Sequence, residues 1–456
     1  MAAVERSTNK KVKNKYKICV IGAGHVGLVA AACFAEMGHE VICVDNDKKR
    51  VDSLKKNILP FYEPDLEPLV EKGRKQGNLI FSLSLAEAVR KSEVIFIAVG
   101  TPPQADGSAD LTSIGEVARV VAQNLNSYKL IVEKSTVPVQ TGRNIKQTVI
   151  HYKKNSYSFD VASNPEFLRE GKAIHDFFYP DRIIIGVESE KAEKILKDIY
   201  SPLSTKFIVT DVNTAEIIKH ASNSFLATKI SFINAISRIC DLAGADVDKV
   251  AAAMGMDKRI GKDFLQAGIG YGGFCFPKDV EAFIYIAKKL GYDFDLLKEV
   301  KNINQTQRVN FVEKIKEQLW LLKDKNIAIC GLSFKPDTDD MRFAPSIDIV
   351  NSLLKEGAAL KVYDPQAKEE ARKILGDTNR IKFVKSPYEA VRGCDCLCFL
   401  TEWEEFKELD FTKIKRLMSY PLIIDGRNMF DGTGLCKLGF DYIGIGKPKK
   451  IKAKVA

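Results

Sequence analysis

Short, nearly continuous apolar runs alternate with longer stretches of small residues through the first half of the chain. From Tyr16, YKICVI reads as a strand, GAGHVG as a turn, LVAAACFAEMG as a helix ended by Gly38, and EVICVD as the next strand. The alternation continues through EVIFIAVGTP, KLIVEKSTVP and FDVASNPEF. Strands apolar on both faces and separated by helices predict a parallel sheet covered on both sides. Pro102, Pro138 and Pro165 follow strands, which places their loops at the carboxyl edge, where open α/β sheets bind ligands.

The pattern changes at Asp211. NTAEIIKHASNSFLATKISFINAISRICDLAGA reads as one long helix, capped by Asn213 or Thr214, with Gly244 near its end. More helix follows to about Asn304, and then strands return in NIAICG, LKVYDP, CLCFLTEW and PLIIDGRN. The expected fold is α/β, with two Rossmann-like doubly wound parallel-sheet domains joined by a central helical region containing one long helix. The boundaries read as a basic disordered tail at 1–15, a first sheet domain at 16–210, a central helical region at 211–310, a second α/β domain at 311–446 and a basic tail at 447–456. The two α/β halves look alike, but only the first carries a glycine fingerprint.

Composition narrows the function classes. The 456 residues are 45% hydrophobic and 28% charged, ordinary for a globular protein. No run approaches the ~18–20 apolar residues of a membrane helix, so no membrane partner is expected. The net charge of +10 hints at nucleic acid, but residues 1–15 carry +4 and residues 447–456 carry +5, leaving +1 for the body. Solvated basic tails around a near-neutral globule explain this without a nucleic-acid partner. The N-terminus has no apolar signal region, and the ten cysteines form no C-x2-C pair, so a cytoplasmic chain without metal or disulfides is expected. Cys394, Cys396 and Cys398 alternate, which predicts one shared strand face.

Gly22-Ala23-Gly24-His25-Val26-Gly27 follows a strand and opens a helix, and Asp45 ends the next strand. Gly22 suits the tight turn, Gly24 lets backbone approach a pyrophosphate, and Gly27 allows close helix–strand packing. Asp45 suits two ribose hydroxyls and repels a 2′-phosphate, so NAD is expected rather than NADP. Arg50 is near enough in sequence to reach the adenosine, although spacing alone favours a surface helix charge. In YGGFCFPKD, Cys275 reads as lying just before a helix begun by Pro277, with Lys278 one turn on, and both features favour a thiolate. Lys219 and Asn223 share a helix face and could donate to an oxyanion, though spacing alone favours a solvated pair. Glu166 and Glu170 share the same spacing, which by itself suits an acidic first turn. Thr136 ends a strand at the ligand edge.

Together these motifs resemble the UDP-glucose 6-dehydrogenases, within the wider UDP-glucose/GDP-mannose dehydrogenase group. VIGAGHVGL, VGTPP, VEKSTVPV, SNPEFLREG, YPDRIIIG, GMDKRIGKDFLQAGIGYGGFCFPKD, LSFKPDTDDMR and IIDGRN carry the resemblance, from about residue 16 to 430. The resemblance implies oxidation of UDP-glucose at C6 to UDP-glucuronate with two NAD per sugar, through a cysteine thiohemiacetal and thioester. GDP-mannose or a UDP-N-acetylhexosamine is the alternative substrate. Cys275 would be the nucleophile, Lys219 and Asn223 the oxyanion donors, and Asp279 a group activating water with Thr136 and Glu170. Glu166, Phe167, Leu168, Lys219, Asn223, Phe264, Gly272, Gly273, Phe334, Lys335 and Arg427 would bind substrate, and Arg259 would do so across a subunit boundary. His25, Val26, Thr101, Thr136, Glu170, Lys278 and Arg342 would join the glycines, Asp45 and Arg50 at the cofactor. The long helix would form a homodimer core. Phe274 stands where most relatives have serine, and His25 where they have tyrosine.

Overall fold

The computed structural model describes residue 12 and residues 14–449. Most of both basic tails lies outside the described residues. The chain forms two compact units, Met1–Ser222 with Glu281–Tyr292, and Asn223–Val280 with Asp293–Ala456.

The first unit is built on eight strands: β1 (Lys17–Ile21), β2 (Glu40–Val44), β3 (Leu79–Ser82), β4 (Val94–Ile97), β5 (Lys129–Glu133), β6 (Phe159–Ser163), β7 (Arg182–Gly186) and β8 (Lys206–Thr210). Their order is β3-β2-β1-β4-β5-β6-β7-β8. The first six strands are parallel, and β7 pairs antiparallel with β6 through Ser163 and Gly186. The order reverses between β1 and β4, which opens the crevice that binds ligands in such sheets. Val94–Ile97 and Leu130–Val132 are wholly buried, as a sheet covered on both faces requires. The helix His25–Glu36 is buried from Gly27 to Ala35, and its small residues let it lie close against the sheet.

The second unit holds six strands: β9 (Asn326–Cys330), β10 (Ala359–Tyr363), β11 (Ile381–Phe383), β12 (Cys396–Phe399), β13 (Leu422–Asp425) and β14 (Asp441–Ile443), ordered β11-β10-β9-β12-β13-β14. The predicted pair of doubly wound halves is therefore present, and the likeness extends to detail. Asp45 follows β2 and accepts hydrogen bonds from Ala23 N and Asp47 N. Asp364 follows β10 and accepts from Leu332 N, Ser333 N, Gln366 N and Ala367 N. Gly22 and Gly331 turn the chain after the first strand of each half at φ +101° and +92°.

The long helix runs Val212–Ala243, and Gly244 follows it at φ +69°. The cap differs from the expectation: Asp211 Oδ1 accepts Thr214 N at 2.9 Å, so neither Asn213 nor Thr214 fills that role. The carboxylate two residues before Asn213 accepts from two donors of the first turn, because the Thr214 hydroxyl also donates to it. The cysteine expectation also needs correcting. Cys396 and Cys398 share one sheet face, with sulfurs 3.7 Å apart, whereas Cys394 precedes β12 and packs in the cluster on the other face. Its thiol donates to Ala390 O, as the turn before the strand rotates it away from the alternation.

Candidate functional site

The dinucleotide loop lies at the β1/β4 crevice. A Cβ on Gly22 would meet Ala98 O at 2.5 Å, and one on Gly27 would meet Gly22 O at 1.9 Å. A Cβ on Gly24 would meet nothing within 4 Å. Two glycines are thus demanded by packing, and the third faces open space beside a helix N-terminus. That cradle fits a dinucleotide pyrophosphate. Burial works against ionisation of Asp45, but the Asp47 and Ala23 N–H groups and Arg50 hold its carboxyl below the usual range. Arg50 Nη1 lies 3.0 Å from Asp45 Oδ2, so it is an ion-pair partner at the strand end and not only a surface charge. Val26 is half-buried against the core. His25 reaches Glu63, a residue the sequence reading missed, at 2.8 Å.

The neighbouring loops are tied together. Thr101 Oγ1 donates to Thr136 O at 2.9 Å, joining the segments after β4 and β5. Glu166 and Glu170 lie on no helix: residues 164–169 after β6 form irregular backbone, which overturns the acidic-turn reading. Pro165 explains this, since the residue before a proline avoids the helical region. Glu166 Oε2 accepts Leu168 N at 2.6 Å, and its Oε1 pairs with Lys219 Nζ at 3.1 Å. Lys219 Nζ also donates to Glu166 O at 2.6 Å and lies 5.1 Å from the Phe167 ring. Both partners are buried, so this is no solvated surface pair. Lys134, a second residue missed from sequence, donates to Asn164 Oδ1 at 3.1 Å. Burial pushes its ammonium down to about 8, with the Lys219 charge adding to the fall and Glu166 opposing it. The EKSTVP run gave no signal for this, because the groups that meet the ammonium, Asn164 and the Tyr200 hydroxyl at 3.4 Å, come from segments 30 and 66 residues away.

A helix that begins in the second unit runs Cys275–Lys289. Cys275 is therefore its first residue and not the one before, with Pro277 within the first turn. Cys275 is half-buried; the only other cysteine that is not buried is Cys436. Asp279 is buried and accepts Lys278 Nζ at 2.6 Å on one oxygen and Asn223 Nδ2 at 2.5 Å on the other. The glycine pair before Cys275 is set by close approach. A Cβ on Gly272 would meet Phe343 O at 2.5 Å, and one on Gly273 the Phe334 ring at 2.7 Å. Phe274 lies 4.5 Å beneath the Arg342 guanidinium and 5.6 Å from Lys278 Nζ. Arg342 is paired with Asp340 at 2.7 Å.

Of the other substrate candidates, Phe334 and Arg427 meet the loop that leads to Cys275. Lys335 Nζ lies 5.3 Å from the Phe334 ring. Arg427 donates to the carbonyls of Leu400, Gly270 and Phe334, so its guanidinium frames the loop leading to Cys275. Phe264 adopts φ +63° and meets the Phe276 ring edge-on. Arg259 is exposed and paired with Asp257. No cluster of three or more His, Cys, Asp or Glu able to hold a metal occurs among the described residues. Among them, no helix is long and apolar enough to cross a membrane.

Comparison with known proteins identifies this arrangement. Three descriptions of the UDP-glucose/GDP-mannose dehydrogenase family match in order: the NAD binding domain at residues 16–204, the central domain at 213–306 and the UDP binding domain at 328–432. The chain is 47% identical to the UDP-glucose 6-dehydrogenase TuaD of Bacillus subtilis, over 95% of this chain and 93% of that one. It is 42% identical to a UDP-glucose 6-dehydrogenase of Pseudomonas aeruginosa, over 95% and 98% of the two chains. The solved UDP-glucose dehydrogenase of Pyrobaculum islandicum superposes with a TM-score of 0.88 at 36% identity, covering 95% of this chain and 98% of the other. With its three domains in order and both sheets in place, the chain belongs to the UDP-glucose/GDP-mannose dehydrogenase family of NAD-dependent oxidoreductases.

Proposed function

We propose that the chain oxidises UDP-glucose at C6 to UDP-glucuronate, through a thiohemiacetal and then a thioester on Cys275. The observation that carries this reading is the half-buried Cys275 opening a helix whose first turn also brings Lys278 and the Asp279–Asn223 pair. NAD supplies the hydride acceptor for each of the two oxidations. The thiolate adds to the C6 aldehyde, forming a C–S bond, and the resulting oxyanion takes a proton. Loss of that proton and of the C6 hydride leaves the thioester. Water then attacks the thioester carbon, the C–S bond breaks, and the acid and the thiolate are released.

Asn223 and Lys219 are the donors for oxygen charge that develops at C6, and each such donor is worth about 3–4 kcal/mol in a dry site. Asp279, fixed by Lys278 and Asn223, orients water for hydrolysis, with Thr136, Glu166 and Glu170 placing substrate and water. Gly22, Gly24, Gly27, Asp45, Arg50 and Thr101 hold NAD, with His25, Val26, Lys278 and Arg342 beside it. Phe167, Leu168, Phe264, Gly272, Gly273, Phe334, Lys335 and Arg427 line the path of the nucleotide sugar, and Arg259 reaches it from a second copy.

NADH formed per sugar consumed tests the reading, with purified protein, UDP-glucose and excess NAD. Two NADH and an acid product are expected. One NADH would overturn the covalent double oxidation. Turnover only with GDP-mannose or a UDP-N-acetylhexosamine would move the same chemistry to that sugar.

A further inference from the structure

Lys134 follows β5 and is buried, yet the acceptors its ammonium meets, Asn164 Oδ1 and the Tyr200 hydroxyl, are both neutral. A neutral donor would satisfy those two groups without the cost of burying a charge. Burial opposes the charge of Lys134, Glu166 favours it through space and Lys219 disfavours it. The Asn164 side chain is held on every side. Its Oδ1 also accepts the Tyr200 hydroxyl at 2.7 Å, and its Nδ2 donates to Ile184 O at 2.8 Å. Its backbone N–H donates to Glu133 O at 2.8 Å. Asn164 is therefore pinned to β5, to β7 and to Tyr200, which ends the helix Glu190–Ile199. Pro165 and Glu166 come next, in backbone that belongs to no helix or strand. The following fixed point is Glu166 itself, whose carbonyl and carboxylate both meet Lys219 Nζ.

We propose that Lys134 is a positioning residue: by clamping Asn164 it sets the turn through Pro165, so that Glu166 presents its carbonyl and carboxylate to Lys219. This rests on the reading of Glu166 and Lys219 as groups that meet the sugar. The proline ring fixes its own φ and confines Asn164 to extended backbone, so a rotation at Asn164 passes to Glu166 with little loss. Without Lys134, Asn164 Oδ1 keeps the Tyr200 hydroxyl alone, and Glu166 loses a buried positive charge beside it. A displacement of about 1 Å in a group that places substrate costs up to about a hundredfold in rate.

The test compares wild type, Lys134→Met, Glu166→Gln and the double variant as full chains, with saturating UDP-glucose and NAD. Methionine keeps a long, unbranched side chain and removes the charge and its donors. For Lys134→Met, kcat is expected to fall about ten- to a hundredfold, while the NAD dissociation constant stays at its wild-type value. The double variant is expected to lose no more than Glu166→Gln alone, because both changes act on one element. A merely structural role would lower the melting temperature and leave kcat intact below it, and an independent role would make the two losses multiply. Either result overturns the proposal and leaves the proposed reaction standing. If Lys134→Met fails to fold, Tyr200→Phe, which takes the other donor from Asn164 Oδ1, replaces it in the same cycle. Wild-type kcat or multiplied losses would again overturn the proposal. Wild-type protein that oxidises neither UDP-glucose, GDP-mannose nor a UDP-N-acetylhexosamine would overturn the reaction and the proposal together.

Discussion

Three glycines within six residues separate packing from binding. Gly27→Ala drives a methyl into Gly22 O and should destabilise the chain by about 1–3 kcal/mol, the usual cost of forced overpacking. Gly24→Ala meets no neighbour, so its denaturation midpoint should match wild type while its NAD dissociation constant rises at least tenfold. Equal loss of stability in the two variants would contradict this division. At Cys275, alanine should abolish acid formation, and serine should stall at an ester that hydrolyses more slowly than a thioester. Product analysis after a single turnover distinguishes the two.

Glu133 gives a residue-scale prediction about pH. As a carboxylate it would leave both buried oxygens without a donor; as an acid it can donate to Glu216. Burial first, and then the Glu216 charge, raise it well above 4.5. The folded state therefore holds a proton that the unfolded state releases near that value. Stability falls as pH rises from about 4.5 toward the raised value. Glu133→Gln removes the proton and its penalty. Melting temperatures at pH 5 and pH 8 should differ less in the variant than in wild type.

At the scale of elements, two helix starts govern the candidate chemistry. The long helix carries Lys219 in its second turn and Asn223 one turn later, and Asp211 caps it. Asp211→Ala should cost about 0.5–1 kcal/mol, the lower part of the capping range because the site is solvent-exposed. Urea unfolding measures this, and no change would mean that the neighbouring packing fixes the start unaided. The second helix begins at Cys275 itself, so Lys278 and Asp279 are set by the same turn that orients the thiol. The loop before that start requires Gly272 and Gly273, because a Cβ at either would collide with Phe343 O or the Phe334 ring.

At the scale of the molecule, the long helix leaves Phe225, Phe232, Ile239 and Leu242 exposed at 65%, 48%, 60% and 87%. The spacing 225, 232, 239 places three of these on one stripe, a burial pattern that suits a second copy of the chain. Phe232→Glu should shift the protein toward monomer in light scattering after size exclusion. An unchanged mass would remove the helix from the interface.

The sequence by itself determined the α/β architecture, the glycine loop with Asp45 and the region around Cys275, because these depend on local periodicity, turn chemistry and short spacings. It gave the long helix but misplaced its cap by a few residues, since Asp, Asn and Thr there compete for the same role. Only the tertiary structure decided that Lys219 and Asn223 are buried, because i, i+4 spacing defines a face but not what covers it. Glu63, Lys134 and Asp364 lay beyond reach for a related reason. Each acquires its partners from segments about 30 to 110 residues away, and that closeness is a property of the folded sheets rather than of any stretch of chain.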